Sequence, residues 1–292
     1  MYFEIVKRIL DKNVSAVATS RNKTVAEITG NVAAHLKAMS AQWYSGKAPT
    51  IAYGDPICRL AYLFAHVATN ANLFEYVFSE IRPLILDEDD DQLEILVFGG
   101  GPGTELLGLA KHLYEKPLAG QLDVSIDIVD RVTEWNENIS WLKKEISATY
   151  AKKFGKPSKW PARFSGSNYT LDFSNLKSFG NLPTLFEKNL FVFNFVLSEI
   201  FDPSKLLPVM RAMIKGSPDD AKFLFVDRSD DATIDKIDAI LTALGLQFSD
   251  GAATQSNMDG DEQKSVLASY SRQLGRNPRV RWDAVWILAE KP

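Results

Sequence analysis

The chain has one cysteine, Cys58, which excludes an internal disulfide and any multi-cysteine zinc site and fits a reducing compartment. No metal site is expected. Long apolar runs are also missing: no stretch reaches the roughly 18 residues that a membrane-spanning helix needs. The start, Met1-Tyr2-Phe3-Glu4-Ile5-Val6-Lys7-Arg8, lacks the charged opening, apolar middle and small-residue cleavage site of a secretory signal, so a cytoplasmic location is expected. Excess positive charge is absent too. The formal net charge of −4 argues against a protein that coats nucleic acid, though it leaves room for a local basic patch. There is no internal repeat. What is present, 46% hydrophobic and 24% charged residues in 292, suits one large domain or a core domain with a smaller addition.

Three helices are expected before residue 86. Val25, Ile28, Val32, Leu36, Met39 and Trp43 recur at spacings of three and four, which marks an amphipathic helix with one buried stripe. Ser45-Gly46-Lys47-Ala48-Pro49 breaks it, and Tyr53-Gly54-Asp55-Pro56 reads as a turn into a second helix from Ile57 to about Thr69. A third, Asn72 to Ile81, ends at Pro83. Asp87-Glu88-Asp89-Asp90-Asp91 is a solvated acidic linker by its run of like charge, with a metal or a basic partner as the functional alternative. The expected organisation is a helical cap over 1–86, a linker over 87–92 and a main domain over 93–292.

From Leu93 strands alternate with helices. Leu93 to Phe98 is an apolar strand, and Glu105 to Lys116 a helix. Val124, Ile126 and Ile128 alternate in a second strand ending at Asp130, followed by a helix from Thr133 to Tyr150. A third strand is expected within Ala162 to Phe173, a fourth within Asn189 to Ile200, a fifth over Lys222 to Val226 ending at Asp227, a sixth opening at Leu246-Gln247-Phe248 and a last one over Trp282 to Ala289. Helices over Lys205 to Lys215 and Ala232 to Leu244 stop at Gly216 and Gly245. This alternation predicts an α/β fold with a mostly parallel, seven-stranded sheet covered by helices on both faces.

Between the first strand and its helix stands Gly99-Gly100-Gly101-Pro102-Gly103-Thr104. Glycines allow backbone angles and close approach that a Cβ forbids, and the helix start offers unpaired N–H groups, so this is a ligand cradle. A Gly-x-Gly-x-x-Gly dinucleotide loop would need a glycine at Thr104, and a Walker loop would need Gly-Lys-Ser/Thr; neither is there.

Leu96-Val97-Phe98-Gly99-Gly100-Gly101-Pro102-Gly103-Thr104 resembles the first motif of the class I, Rossmann-like S-adenosylmethionine-dependent methyltransferases, and the resemblance extends over roughly residues 93 to 292. It implies a cofactor, S-adenosyl-L-methionine, held by Phe98, Gly99, Gly100, Gly101, Gly103 and Thr104. It implies that Asp130, with Arg131 beside it, accepts the ribose hydroxyls, unless Asp130 only caps the next helix. It further implies that Asp172 and Phe173 meet the adenine, unless Asp172 is an ordinary loop acid, and that Asn194 lies by the methyl-bearing end. Ser198 and Glu199 are the catalytic candidates, Glu199 as base and Tyr53 behind it, and Asp227 is a weaker one. The family's acid two residues before the first glycine is Val97 here; Glu105, Asp55 or Arg59 are the residues available to do its work.

The expected reaction is methyl transfer to an N or O acceptor of a small molecule or protein. Trp43, Tyr44, Tyr53 and Tyr62 suit a lid over the cofactor or simple packing. Arg272, Arg276, Arg279 and Arg281 with Tyr270 and Trp282 suit a phosphate backbone or a solvated hairpin. The Phe-Gly-Gly-Gly-Pro-Gly loop resembles that of fungal ribosomal-RNA methyltransferases, so an RNA acceptor is the alternative. A catalytically silent cofactor-binding protein is the third reading.

Overall fold

Successive side chains of a strand point to opposite faces, and here that alternation divides two apolar clusters across one sheet. The computed structural model of the chain describes residues 1–43, 51–87, 89–118, 120–180, 182–200, 202–258 and 260–291. The break expected over residues 45–49, the aromatic Tyr44 and Glu88 of the acid run lie outside them, as does the side chain of Trp43.

In β1 (Gln92–Phe98), Leu93, Ile95 and Val97 enter one cluster and Leu96 and Phe98 the other. The first cluster joins β1 and β2 (Leu122–Asp130) to helices α1 (Tyr2–Ser20), α2 (Val25–Trp43), α3 (Pro56–Ala65), α4 (Val67–Ile85), α5 (Thr104–Glu115) and α6 (Trp135–Phe154). On the opposite face β5 (Leu190–Asn194) and β6 (Lys222–Asp227) meet α7 (Leu207–Gly216) and α8 (Asp231–Leu244). There Phe98, Phe193 and Phe225 stack across three neighbouring strands at 4.8 and 5.1 Å between ring centres. Such offset ring ladders add to the area that each ring buries.

The strand order is β3-β2-β1-β5-β6-β8-β7, with β8 (Arg281–Glu290) antiparallel to both β6 and β7 (Gln247–Asn257) and the other pairs parallel. The expected third strand is two short ones, β3 (Ala162–Ser165) and β4 (Asn168–Thr170), which pair with β2 in succession and bring the count to eight. Gly166 separates them with φ +110, and a Cβ there would lie 2.2 Å from the Ile126 carbonyl oxygen. Only glycine can follow the sheet that closely.

Three sequence expectations shift. Residues 2–20, where no element was expected, form α1, buried through Phe3, Val6, Leu10, Val14 and Val17. The second and third helices divide at His66 rather than near Thr69, and Pro83 lies inside the last turn of α4 instead of ending it. Finally, the basic stretch from Tyr270 to Trp282 is no free hairpin. It begins in α10 (Ala268–Leu274), which packs on α2, just after α9 (Gly260–Val266), which packs on α1, and it ends in β8. No helix among the described residues is long and apolar enough to cross a membrane.

The helices before residue 86 share the sheet's core rather than forming a separate one. Their tightest approach is α4 on α5, where a Cβ on Gly108 would lie 2.4 Å from the Ala71 carbonyl oxygen and 3.0 Å from the Glu75 nitrogen. Gly108→Ala therefore sets a helix-propensity gain of about 1 kcal/mol against backbone overpacking of about 1–3 kcal/mol. Because the obstacle is backbone, the cost falls at the upper end of its range: a net loss of about 2 kcal/mol is expected in urea unfolding, and a variant as stable as the parent would contradict this packing.

Candidate functional site

The apolar run of β1 stops where the chain must turn sharply to enter α5. Gly99 (φ +64), Gly101 (φ +44) and Gly103 (φ +87) make that turn in the left-handed region that side chains other than glycine rarely adopt. Gly100 needs glycine for a different reason: a Cβ would meet Ile128 Cγ2 at 2.7 Å. The turn is fastened to the next strand by Asp130. Its Oδ2 accepts the Gly101 N–H at 2.9 Å and its Oδ1 the Val132 N–H at 2.8 Å. Asp130 does not cap α6, whose first residue follows Glu134. Burial raises its carboxyl above the ordinary value while these N–H groups pull the other way.

A cavity of about 310 Å³ opens over this turn, within the range of small-ligand sites. Of the residues singled out from the sequence, Tyr53, Gly99, Gly101, Asp130, Arg131, Asp172, Phe173, Asn194 and Glu199 line it. Phe98, Gly100, Gly103 and Thr104 lie behind the wall: Phe98 is in the ring stack, its ring 6.1 Å from that of Phe173, and Thr104 Oγ1 donates to Glu105. Asp172 is partly engaged as a loop acid, its Oδ1 accepting the N–H and hydroxyl of Ser174 at 3.0 and 2.6 Å. The sequence did not mark Trp135, Phe195, Asp202 or Lys205, which also line the cavity. Trp135 had appeared only as a member of a helix stripe, and nothing in composition or spacing points to the other three.

Tyr53, Tyr62 and Trp135 form one wall, with ring centres 5.6 to 5.9 Å apart. The turn that carries Tyr53 is held by Arg59, which donates to the Tyr53 and Gly54 carbonyls at 2.8 and 3.0 Å, and by Asp55, which caps α3 through the Ile57 N–H. Arg59 and Asp55 are thus occupied in shaping this wall. Burial and the Glu199 charge push the Tyr53 phenol far above its ordinary value, so it acts as a proton-bearing donor rather than a base.

Glu199 reaches the cavity on a turn that is itself clamped. The Asp227 carboxylate, at the end of β6, accepts the N–H groups of Leu197 and Ser198 at 2.9 and 3.0 Å. Phe195 enters that turn with φ +54, a strained conformation for an aromatic residue. Burial, and then the Asp227 charge, pushes the Glu199 carboxyl up to about 7. Ser198 and Glu199 also face a second, adjoining cavity. Among the described residues no group of three or more His, Cys, Asp or Glu side chains could hold a metal ion.

Beneath the glycine turn lies Glu105, fully buried. Its Oε1 accepts from Asn194 Nδ2 at 2.6 Å and from Thr104 Oγ1 at 2.9 Å, while its Oε2 and Asn194 Oδ1 have no hydrogen-bond partner among the described residues. Burial pushes its carboxyl up to about 7. The native state thus holds this proton more tightly than the unfolded chain, a contribution fully present below the ordinary carboxyl value and lost as pH rises through about 7. Glu105→Gln removes that loss. Its melting temperature relative to the parent should rise between pH 5 and pH 8; a difference constant with pH would contradict a buried, proton-holding Glu105.

No family model matches this sequence, and no curated protein matches it. Solved structures do resemble it at low identity. A SAM-dependent methyltransferase from Methanosarcina mazei is 15% identical over 72% of this chain and 96% of that one, with a TM-score of 0.43. The N-methyltransferase NodS from Bradyrhizobium japonicum is 12% identical over 76% and 98%, with a TM-score of 0.42. The mitomycin 7-O-methyltransferase MmcR is 12% identical over 88% and 67%, with a TM-score of 0.45. At these values no residue role and no acceptor is transferred from them. By the order and direction of its strands, the chain has a Rossmann-like α/β fold.

Proposed function

We propose that the chain is an S-adenosylmethionine-dependent methyltransferase acting on an N or O acceptor of a small molecule or protein. The observation that carries this reading is the cavity over the left-handed glycine turn, with Asp130 at the end of β2 and Glu199 at its far side. The residues fit the cofactor. Gly101 leaves open a space that a side chain would enter, Asp130 and Asp172 supply acceptors for hydroxyl and amino groups, and the unpartnered Asn194 Oδ1 supplies one for an ammonium. Glu105, behind Asn194, takes the position nearest in effect to the acid that Val97 replaces.

When bound, S-adenosylmethionine supplies a methyl carbon whose bond to sulfur breaks, with the electron pair left on sulfur, as the acceptor atom bonds to that carbon. The chain's own part is to align the reactants and exclude water. The aromatic wall of Tyr53, Tyr62 and Trp135 shields the cavity, and Glu199 receives the proton of an N–H or O–H acceptor at its carboxylate oxygen. A carboxyl raised to about 7 suits that task, being ionised in part near neutrality yet basic enough to take a proton. An RNA acceptor is less well supported: Tyr270 and Trp282 are buried, hydrogen-bonded to Asp11 at 2.8 Å and Asn72 at 3.0 Å, and so cannot stack on bases.

Two outcomes test this. Calorimetry should register S-adenosylmethionine binding to the parent and at least tenfold weaker binding to Gly101→Val, whose side chain would enter the cavity; unchanged affinity would move the site elsewhere. Labelled-methyl transfer on fractionated extract should single out a small-molecule or protein fraction. Its rate should rise with pH through about 7, and that dependence should vanish in Glu199→Gln. Cofactor binding without transfer to any fraction would instead favour the catalytically silent reading.

A further inference from the structure

On the other side of Glu199, Tyr62 and Phe195 lies a second cavity of about 480 Å³, which shares those three residues with the first. Its floor is the end of β6, through Arg228, and its roof is the segment after α10 that carries Arg276 and Arg279. Arg279 is fastened at both sides of its backbone. Its N–H donates to the Ala65 carbonyl at 3.0 Å, and Thr69 Oγ1 donates to its carbonyl. Arg276 Nη1 donates to Ser40 Oγ at 3.3 Å, which ties the same segment to α2. The backbone of this segment is therefore fixed at the cavity by the fold, and the Arg279 side chain, exposed like that of Arg276, donates its Nε to the Arg281 carbonyl at 2.7 Å.

Two acids, Asp230 and Asp283, also line this space, but both are engaged. Asp230 caps α8 through the Thr233 N–H at 3.0 Å, and Asp283 accepts from Ser229 and from Gln255 at 2.9 Å. Near His66 the balance is cationic. Burial first, and then the charges of Arg279, Arg276 and Arg228, push its ring down to about 3 and keep it neutral. The cavity thus carries guanidinium groups near His66, with Asp230 and Asp283 bonded to neutral donors and Glu199 shared with the neighbouring site.

Building on the reading of the first cavity as the cofactor site, we propose that the second cavity takes the methyl acceptor: a small molecule with an oxyanion, phosphate or carboxylate. The oxyanion pairs with Arg228, Arg276 and Arg279, which places the nucleophilic N–H or O–H of the same molecule toward Glu199. The cavity volume suits a small molecule, and the buried aromatics at Tyr270 and Trp282 leave no stacking platform beside it for a polynucleotide.

Inorganic phosphate and succinate serve as probes in calorimetry on the full chain at low salt, alone and with S-adenosylhomocysteine. With only three histidines in the chain, the His66 ring signal can be assigned in proton NMR by its loss in His66→Gln. At least one probe should bind saturably and move that signal, and a double Arg276→Ala, Arg279→Ala variant should bind it at least tenfold more weakly with unchanged affinity for S-adenosylhomocysteine. Preference for phosphate or for succinate identifies which oxyanion the acceptor carries. Absence of saturable binding, a still His66 signal or unchanged affinity in the double variant overturns the proposal. So does a single-stranded RNA that displaces the probe and binds far more tightly, with a steep salt dependence. Probe binding without S-adenosylhomocysteine binding would support the oxyanion site while removing the methyltransferase reading.

Discussion

The site depends on one device used twice: a carboxylate at the end of a strand accepts backbone N–H groups from the loop that leaves a nearby strand. Asp130, ending β2, holds the turn after β1 through Gly101. Asp227, ending β6, holds the turn after β5 through Leu197 and Ser198. Each acid is buried enough that its charge would be costly without those donors, and each loop would lose its shape without the acid. Because the strands are parallel, these loops emerge at one edge of the sheet, and the cavities form between them and the helices laid over that edge. The stored strain is local, at Phe195 (φ +54), which lines both cavities.

The sheet was legible because its chemistry is periodic. Alternation in Val124, Ile126 and Ile128 and the unbroken apolar run of β5 could satisfy no other buried element of that length, and the glycine turn announced itself through residues whose backbone others cannot adopt. What escaped was set by tertiary contact. The break between α3 and α4 at His66 leaves no glycine or proline in the sequence, and Pro83 does not end its helix, because in the last turn it removes one hydrogen bond while the Leu86 N–H still closes the helix on the Arg82 carbonyl. Gly166 divides β3 from β4 for the sake of a contact with Ile126, forty residues away, that spacing alone does not reveal.

The site was legible to a similar depth. Residues at strand ends, such as Asp130 and Asn194, follow from topology once the strands are known. Trp135, Phe195 and the arginines over the second cavity do not, because helices and loops distant in sequence bring them there. Arg276 and Arg279 had stood out as part of a basic, aromatic stretch suited to a phosphate backbone. The fold separates the two components of that stretch: Tyr270 and Trp282 turn inward to anchor the segment, while Arg276 and Arg279 turn to a cavity. The same residues that suggest a polyanion in sequence thus line, in the fold, the cavity proposed for a single anionic group.

Val97 bears on how the first cavity manages charge. An acid at that position would stand on β1 itself, within the face of the sheet that carries Ile95 and Leu93, and here valine packs there instead. Under the proposed function Glu105 of α5 stands in for that acid; it lies under Gly100 and reaches Asn194 rather than the open cavity. Such an arrangement costs stability as pH rises, since a buried carboxyl with one unpartnered oxygen resists ionisation. A cation seated beside Asn194 would relieve that cost by favouring the ionised form, so occupancy of the cavity and the proton of Glu105 are linked. Glu199, at the other end of the same cavity, is raised to a comparable value by burial and by Asp227. One carboxyl behind the cavity wall and one lining the cavity, both raised to about 7, would under the proposed function make its charge adjustable: the first answers a bound cation, and the second the proton of the acceptor.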